Sequence, residues 1–356
     1  MSLPLPLIEE VLLKYDYKQI ANKLGLANAT VNAWIIKKKV PKCYTFDLMK
    51  LISKPIDYSE YTCKEKDQFF TPKVTSEYCY NVFCNKMKEL NISTDEYTFI
   101  EPSAGDGSFL EVLPKDRTIA MDIEPRHESI IKQDFLSWEP KNKDIKYCGF
   151  GNPPFGLRGN LALRFINHFV EFAEFVCFIL PPLFNSDGKG SPRKRVRGYN
   201  LIHSEKIDSS FYEPNDKEKF VKINCIFQIW SKNIKDPKYE IKTIKIDNIK
   251  IYSLSTGENP SQKRNVKMIN KCDVYLPSTC FGGENIKYYS SFEELPNMRG
   301  FGIEIKDGYS NKVKLVELMK KYDWCSVSFL STNSAYNLRT SLIMNVIKQM
   351  DSGFME

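Results

Sequence analysis

Four segments before residue 52 carry apolar residues at helical spacing. "LIEEVLLKY", "YKQIANKLG" and "NATVNAWIIKKK" predict three helices, and "TFDLMKLI" after Pro41 predicts a fourth. Gly25 is placed to end the second helix, and Asn28 or Thr30 to cap the third. A polar linker is expected over 53–66, "SKPIDYSEYTCKEK". From residue 67 the pattern changes to short apolar runs: "YTFIEPSAG", "TIAMDIEP", "DIKYCGFGNPP" and "FVCFILPP". These read as buried strands. A helical pattern at 161–175 lies between two of them, and "VKINCIFQIW" at 221–230 is a late strand of the same layer. Such alternation predicts a parallel sheet with crossover helices. Beyond about residue 235, lysine–isoleucine alternation predicts half-exposed strands, and "NLRTSLIMNVIKQM" predicts a closing helix.

The expected organisation is therefore a helical domain at 1–52, a linker at 53–66, an α/β domain at 67–235 and an α+β domain at 236–356. In the first of these, Ala21, Gly25, Val31 and Trp34 have helix-turn-helix spacing. Alanine lets two helices approach, glycine makes the turn, and Val31 and Trp34 face the core. The unit resembles the small helix-turn-helix modules of phage repressors and transposases. Its second helix, 28–38, runs into Lys37, Lys38 and Lys39. Those lysines suit a polyanion, or equally a solvated helix end where cations meet the dipole.

Composition narrows the class without deciding it. The 356 residues are 42% hydrophobic and 27% charged, as in ordinary globular proteins. No run approaches the ~20 apolar residues of a membrane span, and the start lacks signal-peptide features. A cytoplasmic location is expected. The 10 cysteines are scattered without CxxC spacing and only 3 histidines occur, so no metal site is expected. A net charge of +7 permits a polyanionic partner.

The chemistry gathers at the ends of the predicted strands. "FIEPSAGDGSFLEVL" reads as strand, glycine loop and helix, matching neither a dinucleotide fingerprint nor a P-loop. The loop lets a ligand approach the backbone, and the following helix start favours a carboxylate. Asp122 ends the next strand, where a carboxylate accepts from ribose hydroxyls. Asp134 and Phe135 end another, an acid and an aromatic able to grip an adenine. "GFGNPPFGLRG" at 149–159 follows the fourth. Its two prolines exclude helix and fix the backbone.

Taken in order, "EPSAGDGSF", "MDIEP", "QDFL" and "NPPF" resemble S-adenosylmethionine-dependent N6-adenine DNA methyltransferases of the gamma class, over roughly residues 67–235. "KDQFFTPKVTSEYC" is similar to the segment that folds over the methionine end of their cofactor. The resemblance implies a Rossmann-like methyltransferase sheet, flanked here by a helix-turn-helix domain and a C-terminal α+β DNA-recognition domain. It implies S-adenosylmethionine and no metal. Thr71 and Pro72 would contact the cofactor; Glu101 and the loop from Ser103 through Gly105 to Gly107 would bind its amino acid part. Asp122, with Ile123 beside it, would hold the ribose, and Asp134 with Phe135 the adenine ring. Asn152, Pro153, Pro154 and Phe155 would receive the target base.

This knuckle suits methyl transfer to a weakly nucleophilic amine. The Asn152 side chain and the Pro153 carbonyl offer two preset acceptors, which is catalysis by position and fixed dipoles. Phe155 would stack on a base flipped out of the duplex. Phe211 and Tyr212 are candidates for its opposite face. A basic loop, with Lys189, Arg193, Lys194, Arg195 and Arg197, is placed to bind phosphates. The expected partner is double-stranded DNA. The resemblance leaves open a homodimer through the helix-turn-helix and a companion restriction endonuclease. Alternatives are an RNA adenine-N6 methyltransferase and a DNA-binding regulator with an inactive methyltransferase fold. A protein glutamine methyltransferase is disfavoured by Phe155, since that family carries tyrosine there. The lysine- and asparagine-rich composition suggests an AT-rich bacterial, phage or viral genome.

Overall fold

The computed structural model describes residues 4–188, 190–207, 210–213, 216–241, 244–257, 262–330 and 335–353. Lys189 of the expected basic loop lies outside the described residues.

The chain opens with α1 (Pro4–Leu12), α2 (Tyr17–Lys23), α3 (Asn28–Ile36) and α4 (Thr45–Leu51). Asp16 starts α2 with a capping box, accepting from the Gln19 N–H while Gln19 returns to its own. Gly25 ends that helix at φ +63°, and the N–H groups of Gly25 and Leu26 donate to Asn22 and Ala21. This Schellman turn leads into α3 at Ala27, so the N-cap is Ala27 rather than Asn28 or Thr30. The third helix stops at Ile36, short of the expected 38, because Lys38 turns left-handed at φ +47°. Ile20, Ala21, Val31, Trp34 and Leu48 share one apolar core.

The segment expected as linker contains α5 (Cys63–Lys66), capped by Thr62 and Glu65. There follow α6 (Lys73–Glu89), β1 (Tyr97–Glu101), β2 (Thr118–Asp122), β3 (Ile131–Lys132), β4 (Lys146–Gly151), α7 (Asn160–Phe169), β5 (Ala173–Leu180), β6 (Asn200–Ile207), β7 (Ser210–Glu213), β8 (Asp216–Lys222) and β9 (Cys225–Ser231). Seven of these strands form one sheet in the order β3-β2-β1-β4-β5-β9-β6. The first five are parallel, and β9 runs antiparallel to both its neighbours. A continuous apolar run such as "FVCFIL" is what a strand buried on both faces requires. One face is covered by α6, whose Phe83 and Met87 meet Phe99 and Phe150. The other is covered by α7 through Ile166 and Phe169. A side chain at Gly149 in β4 would stand 2.7 Å from the Phe169 ring, so this glycine sets how closely α7 seats.

Three expectations are corrected here. The helix expected after the glycine loop is absent: residues 102–114 form turns, because Pro114 leaves room for one helical hydrogen bond, Leu113 N–H to Phe109 at 2.9 Å. The helix expected over 161–175 stops at Phe169, since the apolar residues from Ala173 pair with β4 and β9. The late strand divides, its first two residues closing the β7–β8 hairpin and β9 starting at Cys225.

The C-terminal part holds β10 (Ile249–Thr256), β11 (Lys263–Arg264), β12 (Val274–Pro277), β13 (Thr279–Phe281), β14 (Arg299–Ile305), α8 (Lys312–Lys321), α9 (Trp324–Val327), β15 (Phe329–Leu330), β16 (Ala335–Asn337) and α10 (Thr340–Ser352). Two antiparallel sheets, β11-β10-β14-β12 and β13-β16-β15, accompany the helices. Val274, Ile303, Leu315, Trp324 and Ile347 fill their core. The molecule is thus a mixed α/β protein with a large, mostly parallel sheet, a helical segment before it and an α+β segment after it. No helix among the described residues is long and apolar enough to cross a membrane.

Candidate active site

The strand order reverses between β1 and β4, which opens a crevice beyond their carboxyl ends. Two cavities meet there. One, of about 160 Å3, lies over the ends of β1, β2 and β3. The other, of about 450 Å3, lies between the knuckle and the C-terminal part. Asp67, Phe69 and Asn152 line both.

The knuckle alternates between the two. Pro153 and Phe155 face the larger cavity, Pro154 the smaller. Asn152 sits at the junction, its Nδ2 donating to Thr71 Oγ1 at 3.2 Å. That bond orients the amide and leaves Oδ1 buried, with no hydrogen-bond partner among the described residues. Such an atom is costly unless a ligand supplies a donor. Behind it, Ser103 Oγ donates to the Asn152 carbonyl at 3.3 Å. Ser103 therefore steadies the knuckle as well as lining the smaller cavity.

On the side of the smaller cavity, Glu101 is 2% exposed and its Oε2 also lacks a partner among the described residues. Burial, then the nearby Asp122 and Asp106, push its carboxyl well above the usual range. Asp122 is drawn upward by burial and downward by the N–H groups of Glu124 and Gly105, which donate to it at 2.8 Å each. Asp122 thus braces the glycine loop while lining the cavity beside Ile123. Gly105 takes φ +55°, and a side chain there would meet the Phe70 ring at 2.8 Å. Gly107, also left-handed at φ +88°, and Pro72, which caps α6, line neither cavity. Phe135 is 1% exposed and packs on Phe165 and Phe169, presenting only part of its ring.

The helical segment roofs the smaller cavity, which the sequence did not suggest. Phe46 and Lys50 of α4 and Tyr58 line it. Lys50 Nζ lies 2.6 Å from Asp134 Oδ2. Asp47 pairs with Arg164 at 2.7 Å, and Asn160 donates to the Leu24 carbonyl at 3.4 Å. Lys66 and Glu124, paired at 2.8 Å, complete the wall. No spacing in the sequence marks these residues, because they converge from separate elements.

Around the larger cavity, Phe211 joins Phe155, while Phe329 enters from β15. Tyr212 turns the other way: its hydroxyl donates to Asp106, in the glycine loop. The basic residues also divide. Arg193 donates to the carbonyls of Asn185 and Tyr239, and burial lowers its pKa. Arg195 donates to the Gly25 carbonyl at 2.9 Å and to Asn160 Oδ1 at 3.1 Å, bracing the turn between α2 and α3. Lys194, Arg197, Lys37, Lys38 and Lys39 are exposed. Arg158 is exposed at the rim of the larger cavity, held at φ +55°. No cluster of metal-ligating side chains occurs among the described residues.

No family model matches the sequence. No curated protein matches it either. Among solved structures, the fold is similar to a provisionally assigned RNA methyltransferase from Pyrococcus horikoshii, at 14% identity over 47% of this chain and 87% of that one, TM-score 0.33. It is similar to a modification subunit of a provisionally assigned type I restriction enzyme from Vibrio vulnificus, at 13% identity over 63% and 55%, TM-score 0.32. It is similar to the Type IIL restriction-modification enzyme MmeI in complex with DNA, at 11% identity over 69% and 48%, TM-score 0.34. The chain thus spans about half the length of the two restriction-modification proteins.

Proposed function

We propose that the chain transfers a methyl group from S-adenosylmethionine to the exocyclic amine of an adenine in double-stranded DNA. The observation that carries this reading is Asn152: a buried acceptor without a partner among the described residues, oriented by Thr71, standing where the two cavities meet.

The residues of the smaller cavity fit the cofactor. Glu101, in an adjoining small cavity with Ser103, Gly105 and Asn152, has an Oε2 without a partner among the described residues that suits its ammonium group, and Asp122 or Asp134, which line the smaller cavity, suit its nucleoside hydroxyls and ring amine. When bound, S-adenosylmethionine supplies a methyl on a positively charged sulfur. Asn152 Oδ1 accepts one N–H of the target amine, and the Pro153 carbonyl takes the other. These bonds favour a tetrahedral nitrogen and point its lone pair toward the smaller cavity. Phe155 would stack on the base in the larger cavity, with the buried Phe211 behind it. The amine so held would be set to take the methyl that the bound cofactor supplies, its surplus proton leaving for solvent.

The helix-turn-helix segment and the exposed lysines favour duplex DNA over RNA. The experiment is transfer of a tritiated methyl group to unmodified genomic duplex DNA and to RNA in parallel, with the product nucleosides separated. N6-methyladenine in the DNA arm alone is the expected result. Label in protein, in RNA alone or in another base would displace the proposal.

A further inference from the structure

Asp67 stands outside every role assigned so far, yet it touches the knuckle. Its Oδ2 accepts from the Gly156 N–H at 2.6 Å. It closes α5 in the left-handed region, at φ +53°. Aspartate adopts that conformation more readily than most residues with a side chain, and here the turn aims its carboxylate at the knuckle. The Phe155 carbonyl is held from the other side, by the N–H groups of Leu161 and Ala162 at 3.1 and 3.3 Å, so Asp67 supplies the grip on the N–H side of the same stretch. Asp67 also lines both cavities beside Asn152.

We infer that Asp67 is a positioning residue for methyl transfer, holding Phe155 and Gly156 so that Phe155 and the Pro153 carbonyl keep their aim. This rests on the proposed role of the knuckle. It acts through the Gly156 N–H, next to Phe155, and does not touch the reacting atoms.

The test compares Asp67→Gly, which fits the backbone but removes the grip, with Asp67→Asn, which keeps one acceptor. Methyl transfer to genomic duplex DNA, S-adenosylmethionine binding by calorimetry and thermal unfolding are measured on the full chain. A misplacement of about 1 Å costs on the order of 100-fold in rate. Asp67→Gly is therefore expected to lose about 10- to 100-fold in kcat with cofactor affinity within about twofold, and Asp67→Asn to recover most of the loss. Wild-type kcat in Asp67→Gly, or a loss matched by unfolding, overturns the inference. Asn152→Ala serves as reference: if it abolishes transfer while Asp67→Gly does not, only the positioning role fails. If Asn152→Ala keeps full activity, the knuckle reading itself fails.

Discussion

Lys50 of the helical segment places its ammonium 2.6 Å from the carboxylate of Asp134, across the opening of the smaller cavity. A residue expected to bind a nucleobase amine is thus held by a residue from a module expected to read DNA. Both side chains are partly exposed, at 40% and 31%, so the pair contributes at most about 1 kcal/mol. Removing Lys50 frees Asp134 for the adenine. Lys50→Met is expected to tighten S-adenosylmethionine binding by up to about fivefold, the equivalent of that energy. Calorimetric titration at low salt checks this, and weaker binding would show that Lys50 itself holds the cofactor.

Thr71 fixes which end of the Asn152 amide faces the cavities. Thr71→Val removes the acceptor and lets the amide turn. The loss of one well-placed transition-state contact costs about 100-fold or more, so kcat should fall toward that extent with little change in cofactor affinity. Thr71→Ser should stay near wild type. A Thr71→Val enzyme altered only in KM for the cofactor would assign Thr71 to cofactor contact alone.

Glu101 is raised by burial in the folded chain. An acid whose folded pKa lies above its unfolded value binds the proton more tightly when folded. Stability is therefore lost as pH rises from the unfolded pKa through the folded one. Glu101→Gln should raise Tm in the cofactor-free protein at pH 8 and leave it nearly unchanged below pH ~4. The same change should weaken S-adenosylmethionine binding, since the ammonium loses its counter-charge. Equal Tm values at all pH would place the ionised Glu101 in a solvated setting.

Arg158 has no ion-pair partner among the described residues and lies at the rim of the larger cavity. Arg158→Gln should weaken duplex DNA binding and lower the slope of log K against log salt by about 1, the mark of one phosphate contact. Arg195→Gln should act differently. It loosens the turn at Gly25, lowering Tm while the salt slope changes little. Reversed outcomes would exchange the roles of the two arginines.

Much of the architecture was legible because short-range rules govern it. Gly25 between two apolar helical patterns called for a left-handed turn, which it makes. The run "FVCFIL" called for a strand buried on both faces, which β5 is. The failures have local causes as well. Residues 108–113 carry a helical pattern, but Pro114 follows before a second turn forms. Residues 173–175 fit a helix and a strand alike, and pairing with β4 and β9 decided for the strand.

The sequence by itself determined the kinds of groups at each strand end: a glycine loop after β1, acids after β2 and β3, and a proline knuckle after β4. Period and turn chemistry act within a few residues, so these assignments needed no knowledge of the rest of the chain. Only the tertiary structure decided which groups are free. It spent Arg193 and Arg195 on bracing carbonyls, turned Tyr212 toward Asp106, and set Lys50 on Asp134 across 84 positions of sequence. Such pairings depend on how helices and loops seat on the sheet. Their energies come from distance and burial, which residue order alone does not encode.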